Sequence, residues 1–171
     1  MKLNSLSDLF LEQLKDVYNA EKQLVKALPK MARAASSPEL RMAFRDHLAV
    51  TKEQVGRLDR IFEELGSSTG RKKCKAMEGL IEEGNELIEE KPAPAVADAG
   101  LIAAAQRVEH YEIAAYGTLR SFATLLGHEN VVGLLELTLK EEEATDKLLT
   151  QLAESGVNQR ALDGDGDGEA E

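Results

Sequence analysis

The sequence predicts an all-α fold: four long helices in two hairpins, with a long crossover between the hairpins that carries a short extra helix. Composition is the first ground. Only four prolines and no tryptophan occur in 171 residues, and long stretches are rich in Ala, Leu, Glu, Lys and Gln, whose side chains lose little rotamer freedom in a helix. Periodicity is the second, because four long segments repeat apolar residues at the three- and four-residue spacing that lines one helix face. The third is an internal echo: polar residues interrupt the apolar stripes at mid-length, thirty-three residues apart in both hairpins, Glu21 to Gln54 and Glu109 to Glu142.

The first helix is predicted over about Ser5 to Ala35, with Ser5 or Ser7 as N-cap and Leu14, Val17, Leu24 and Leu28 on one face. Glu21 is the only acid on that face. Pro29 should bend or locally open the helix, since it lacks an amide donor and crowds the preceding turn. Ser36-Ser37-Pro38-Glu39 reads as a stop and restart, with Ser37 capping a second helix that holds Pro38 in its first position and ends near Leu65. The inward stripe of that helix is Leu40, Phe44, His47, Thr51, Gln54, Leu58 and Ile61, while Asp46, Glu53 and Arg57 fall on the wet face.

Gly66 to Gly70 is a loop by composition. A shorter helix follows from about Cys74 to Glu90, with Met77, Leu80, Ile81, Leu87 and Ile88, weakened by Gly79 and Gly84. Lys91-Pro92-Ala93-Pro94 is an extended linker to the third long helix, about Ala97 to Leu126, which Gly127 should close with a left-handed cap. The fourth long helix spans about Glu129 to Glu154. Two hairpins joined by a crossover the length of the bundle, from the second long helix to the third, make the ferritin-like arrangement. In antiparallel hairpins that turn near Ser36 and Gly127, equal spacing brings the interrupted positions of all four helices to one height.

Residues 1–160 are assigned to this bundle and 161–171 to a disordered acidic tail. The run Asp163-Gly164-Asp165-Gly166-Asp167-Gly168 imitates the opening of a calcium-binding EF-hand loop, but the bidentate acid at loop position twelve is missing. A net charge of −10 argues against nucleic-acid binding, since no basic strip appears beyond Arg71-Lys72-Lys73. No apolar signal core or run of about 18 apolar residues occurs, so no membrane association is expected and a cytoplasmic location is. The lone Cys74 reads as inert.

The third long helix holds the most informative stretch. Glu109 and Glu112 lie on the stripe that also carries Leu101, Ala105, Tyr116, Leu119 and Ala123, so the phase that buries those residues turns both carboxylates inward. On the fourth helix Glu142 and Asp146 share a stripe with Leu135, Leu139, Leu149 and Ala153, whereas Glu143 falls outside with Glu136, Lys140 and Lys147. Buried ionised carboxylates must be paired, hydrogen-bonded, protonated or metal-bound. Two readings follow for Glu21, Glu109, Glu112, Glu142 and Asp146: a metal site, or a proton-sharing polar layer that fixes helix register. The metal reading is favoured, and oxygen ligands suit iron, manganese, magnesium or calcium over zinc. His47 is read as an ordinary core histidine because it lies about 10 Å along its helix from Gln54. His110 is read as surface, and Tyr18, Tyr111 and Tyr116 as packing residues whose hydroxyls find partners.

Several segments carry a family resemblance over almost the whole chain: Tyr18-x-Ala20-Glu21-Lys22-Gln23-Leu24, His47-x-x-x-Thr51-x-x-Gln54, Cys74-x-Ala76-Met77-Glu78-Gly79-Leu80-Ile81-Glu82-Glu83, Val108-Glu109-His110-Tyr111-Glu112-Ile113-Ala114 and Glu141-Glu142-Glu143-x-x-Asp146. Together they resemble the YciF-type family of bacterial stress proteins. That resemblance implies a ferritin-like fold, a homodimer and a role in stress responses. The wider superfamily holds two iron or manganese ions with single glutamates from two helices and Glu-x-x-His from the others. By that likeness Glu21 and Glu109 match the single glutamates and Glu142 a motif glutamate. Gln54 stands where the other glutamate would be, Asp146 stands near one histidine position, and Leu58 or Arg57 occupies the second. Glu112 is an added acid that some peroxide-reducing relatives share.

The resemblance selects iron, in one or two ions, over manganese, with Glu21, Gln54, Glu109, Glu112, Glu142 and Asp146 as the ligand set and peroxide or oxygen as the reactant if there is catalysis. The alternative is a non-enzymatic helical dimer that acts through protein contacts, with a structural acidic layer.

Overall fold

The computed structural model describes residues 3–164 and contains helices, turns and loops. Helix α1 spans Leu6–Ala34, and its N-cap Ser5 accepts a hydrogen bond from the Asp8 amide. It runs unbroken through Pro29, contrary to the local opening expected there. Leu24, Leu28 and Ala32 are buried on either side of the proline, so tertiary packing holds the turn that the missing amide weakens. Helix α2 spans Pro38–Glu64, capped by Ser37 with Pro38 in the first turn as the sequence indicates. The short helix α3, Lys75–Glu89, has Cys74 as its cap residue, whose Sγ accepts from the Met77 amide at 3.4 Å.

Helix α4 spans Pro94–Leu125, three residues longer at its start than the sequence pattern implied, because Pro94 fits the first turn where no amide donor is needed. Gly127 closes it at φ +76. Helix α5, Glu129–Leu152, ends in a π-helical turn at Ala153–Val157 that is non-helical at Gly156, and a further helix, α6, covers Asn158–Asp163. Helical chain thus continues past residue 160. The rest of the acidic tail, including the EF-hand-like run beyond Gly164, lies outside the described residues.

The core fixes the topology. One apolar cluster contains Leu24 and Leu28 of α1, Leu40 and Phe44 of α2, Leu101 and Ala105 of α4 and Leu149 of α5. The other contains Phe10 and Leu14, Leu58 and Ile61, Tyr116 and Leu119, and Leu135 and Leu139. Helices α2 and α4 therefore pass from the first cluster to the second, while α1 and α5 pass the other way. Parallel α2 and α4 need a connection as long as the bundle, and the loop and α3 supply it. This is the ferritin-like arrangement.

Helix α3 packs on α1 and α4. Its Leu80, Ile81, Leu87 and Ile88 lie against the first cluster, so its apolar face is used within the chain. Gly100 permits the contact, since a Cβ there would meet Leu87 Cδ2 at 2.6 Å. The α1–α2 turn is tied down by Asp98, a buried residue of α4 that accepts from the amides of Ser36 at 2.7 Å and Ser37 at 2.8 Å.

Candidate metal centre

Between the two apolar clusters the four long helices contribute one polar layer. Helix phase puts it there: Glu21 shares its face with Leu14, Val17 and Leu24, and Glu109 and Glu112 share theirs with Ala105 and Tyr116. Glu21 and Glu142 are fully buried, and Glu109, Glu112 and Gln54 are each 1% exposed. Glu143 is exposed, as its phase requires.

One ligand atom each from His47, Glu109, Glu112 and Glu142 can be chosen so that all four lie within 4.8 Å of one another. His47 Nε2 is 3.2 Å from Glu109 Oε1 without hydrogen-bond alignment. On the other side of the ring, Nδ1 is 3.4 Å from Thr145 Oγ1, and that hydroxyl donates to the Glu141 carbonyl at 3.0 Å. With its hydrogen so engaged, the Thr145 oxygen accepts from Nδ1–H, which leaves the Nε2 lone pair aimed into the acids. His47 is therefore part of the cluster, not an isolated core histidine bonded to a backbone carbonyl. The axial separation from Gln54 is no guide here, because the residue facing His47 is Glu109 on the parallel α4, diagonally across the bundle.

Glu21 flanks this group. The Tyr116 hydroxyl donates to its Oε1, while Oε2 has no partner. Gln54 Nε2 donates to Glu142 Oε1 and, at 3.1 Å, to Glu141 Oε2, with its own Oε1 unpartnered. Asp146 lies apart from the cluster and is partly exposed. It accepts from Gln106 Nε2 at 3.1 Å and is 3.3 Å from Nε2 of the exposed His110. Of the six sequence-derived candidates, Glu109, Glu112 and Glu142 come together, Glu21 and Gln54 border them, and Asp146 is at the rim.

Arg57 is buried rather than on the wet face. Its guanidinium donates to Glu141 at 2.5 and 2.6 Å and to Thr138 Oγ1 at 3.1 Å. Both Arg57 and Glu141 lie beside the inward stripes of their helices, and the α2–α5 seam closes over them. The sequence signal was available only as a pair, since neither residue's phase alone buries it. This bidentate pair engages the Arg57 guanidinium, and among the described residues no Lys or Arg pairs with the inner acids.

Burial pushes the Glu21 carboxyl up to about 8, with the neighbouring Glu142 charge adding and the Tyr116 hydroxyl opposing. Glu109 rises to about 8, again chiefly by burial, against a hydrogen bond with Glu142 that lowers it. Glu112 is held well above the ordinary carboxylate range by burial and then by the charges of Glu21, Glu142 and Glu109, and Glu142 by burial and the charge of Glu109, against His47, which lowers it. Without a cation, then, the layer favours protons.

The orphaned buried atoms fit a metal's donor set. Glu21 Oε2, His47 Nε2, Gln54 Oε1, Glu109 Oε2, both oxygens of Glu112 and Glu142 Oε2 are buried with no hydrogen-bond partner. Native interiors leave few such atoms, and here they gather in one layer. Carboxylate oxygens with one imidazole nitrogen suit iron or manganese and lack the thiolates of a structural zinc site.

Fold and site define a class: a two-hairpin helical bundle around a buried carboxylate–histidine layer. Residues 5–162 match the family described as a domain of unknown function, DUF892, and the chain belongs to that family. Protein YciF of Escherichia coli strain K12 is 51% identical over 162 residues, 94% of this chain and 98% of its own. The crystal structure of that stress protein superposes with a TM-score of 0.88 at 52% identity, covering 91% of this chain and 98% of the relative. YcfI of Rhodopseudomonas palustris, a proposed structural protein, gives 0.85 at 42% identity, covering 87% and 95%. A protein from Xanthomonas campestris shares the fold at 20% identity, with a TM-score of 0.75 and 95% and 99% coverage.

Proposed function

We propose that this protein is a stress-response protein whose acidic layer binds iron, with Glu109, Glu112, Glu142 and His47 as the inner ligands. Glu21 and the Gln54 carbonyl oxygen stand next to them for a second ion. The observation that carries this reading is the set of orphaned buried oxygens and the unpartnered His47 Nε2, which a cation would satisfy together. Bound iron would supply redox chemistry toward oxygen or peroxide. The chain's own parts would be to hold the carboxylates against their preference for protons, to orient His47 through Thr145, and to exclude water with the two apolar clusters.

The test is elemental analysis of untagged protein, followed by anaerobic ferrous titration. One or two equivalents of tightly held iron support the reading, and a stoichiometry near zero in both removes it. The second reading is a structural layer in a protein that acts through protein contacts. It is favoured by the proton-binding tendency of the acids and by the structural role proposed for the Rhodopseudomonas relative. A homodimer is part of both. Its support is the exposure of Leu137 and Leu148, eleven residues apart on one side of α5, and of Met42 on α2. Sedimentation equilibrium giving a folded monomer at micromolar concentration would remove the dimer.

A further inference from the structure

The Arg71-Lys72-Lys73 run, the one basic stretch of an acidic chain, is not used by the carboxylate layer. It forms one wall of an open cleft of about 470 Å³ whose other wall is the α1 face of Lys15, Tyr18, Asn19 and Lys22. Five cations from two distant parts of the sequence thus line one concavity, in a protein with a net charge of −10.

The cleft is preformed. The Cys74 amide donates to Asn19 Oδ1 at 2.8 Å, and Gln23 Nε2 donates to the Cys74 carbonyl at 3.0 Å. Gly70, at φ +67, brings bare backbone against Lys15, where a Cβ would sit 3.2 Å from its Cδ. Local acids neutralise only part of the charge: Lys72 pairs with Glu12 and Asp16, and Lys73 with Glu78. Among the described residues Lys15, Lys22 and Arg71 make no ion pair. Lys22 instead rests over the Tyr18 ring, 5.3 Å from its centroid.

We propose that this cleft binds a small molecule bearing a diphosphate or longer phosphate chain. Its volume lies within the range of small-ligand sites. Lys15 and Lys22, seven residues apart on one helix, are separated by about 10 Å along its axis, which suits several linked anionic groups better than a single carboxylate. Arg71 adds a planar fork for phosphate oxygens where the lysines act as point charges. A concave wall of like charges focuses the field locally, although the molecule as a whole repels anions, so binding weakens with salt.

The test is a titration of the full chain with sodium pyrophosphate, followed by backbone amide NMR shifts, with sodium chloride at matched ionic strength as the reference. Saturable shifts confined to residues 15–23 and 69–74 are expected. Lys15→Ser/Lys22→Ser should weaken binding by about tenfold or more, and Lys52→Ser/Lys147→Ser, outside the cleft, should leave it unchanged. No saturable shift up to about 10 mM, shifts spread over the surface, or equal weakening by both double variants would overturn the proposal.

Discussion

Helix phase alone sorts the acids of α4 and α5 by function. Glu109→Ala and Glu142→Ala are predicted to abolish bound metal while Glu143→Ala retains it, with metal content by elemental analysis as the readout. Equal losses at Glu142 and Glu143 would contradict the geometry. Removing Glu141 tests a different part of the structure, because it strands the buried Arg57 guanidinium. Glu141→Ala should destabilise by about 2–4 kcal/mol, and Arg57→Met, which leaves a partly solvated carboxylate, by less; urea denaturation compares them. The burial of Glu21, Glu109, Glu112 and Glu142 was legible because each lies in register with leucines or alanines that must be buried. The burial of Arg57 against Glu141 and the part His47 takes in the cluster were not, because they depend on which helix stands opposite, and no single-helix pattern contains that. Asp146 shows the converse: its phase points inward, yet Gln106 and His110 hold it at the rim.

At the scale of elements, caps and turns were the legible features. Ser5, Ser37 and Gly127 act as their types imply, and the hairpins and crossover follow from them. The anchoring of the α1–α2 turn by Asp98 was hidden, since the partner amides are about sixty residues away in the chain. Asp98→Ala leaves one buried and one partly buried donor without a charged acceptor and should cost about 2–3 kcal/mol, measured by thermal or urea unfolding. An effect within experimental error would mean that water or a neighbouring group satisfies those amides. The end of α5 was also only half legible: the pattern placed it near Glu154, but a π-helical turn and α6 follow and pack back on α4, a tertiary contact that local propensity does not encode.

For the molecule as a whole, the acidic layer makes stability depend on pH and on cation together. Glu21 and Glu109 have folded values near 8 against an ordinary 4.5, so the folded state binds more protons than the unfolded state between those limits. Their contribution is complete below about 4.5 and is lost as pH rises toward 8. Metal-free protein should therefore melt lower at pH 8 than at pH 5, as followed by circular dichroism. A bound cation favours the ionised acids instead. At a free concentration one hundred times its dissociation constant it adds about 2.7 kcal/mol, or roughly 5–10 °C for a chain of this size, and more at pH 7.5 than at pH 5, where protons compete. The most direct measurement of the central claim is anomalous scattering at the iron edge from crystals grown with ferrous iron and without chelator. A peak bounded by His47, Glu109, Glu112 and Glu142 is predicted, and its absence at full occupancy of the surrounding side chains would contradict the metal centre and leave the layer a structural one.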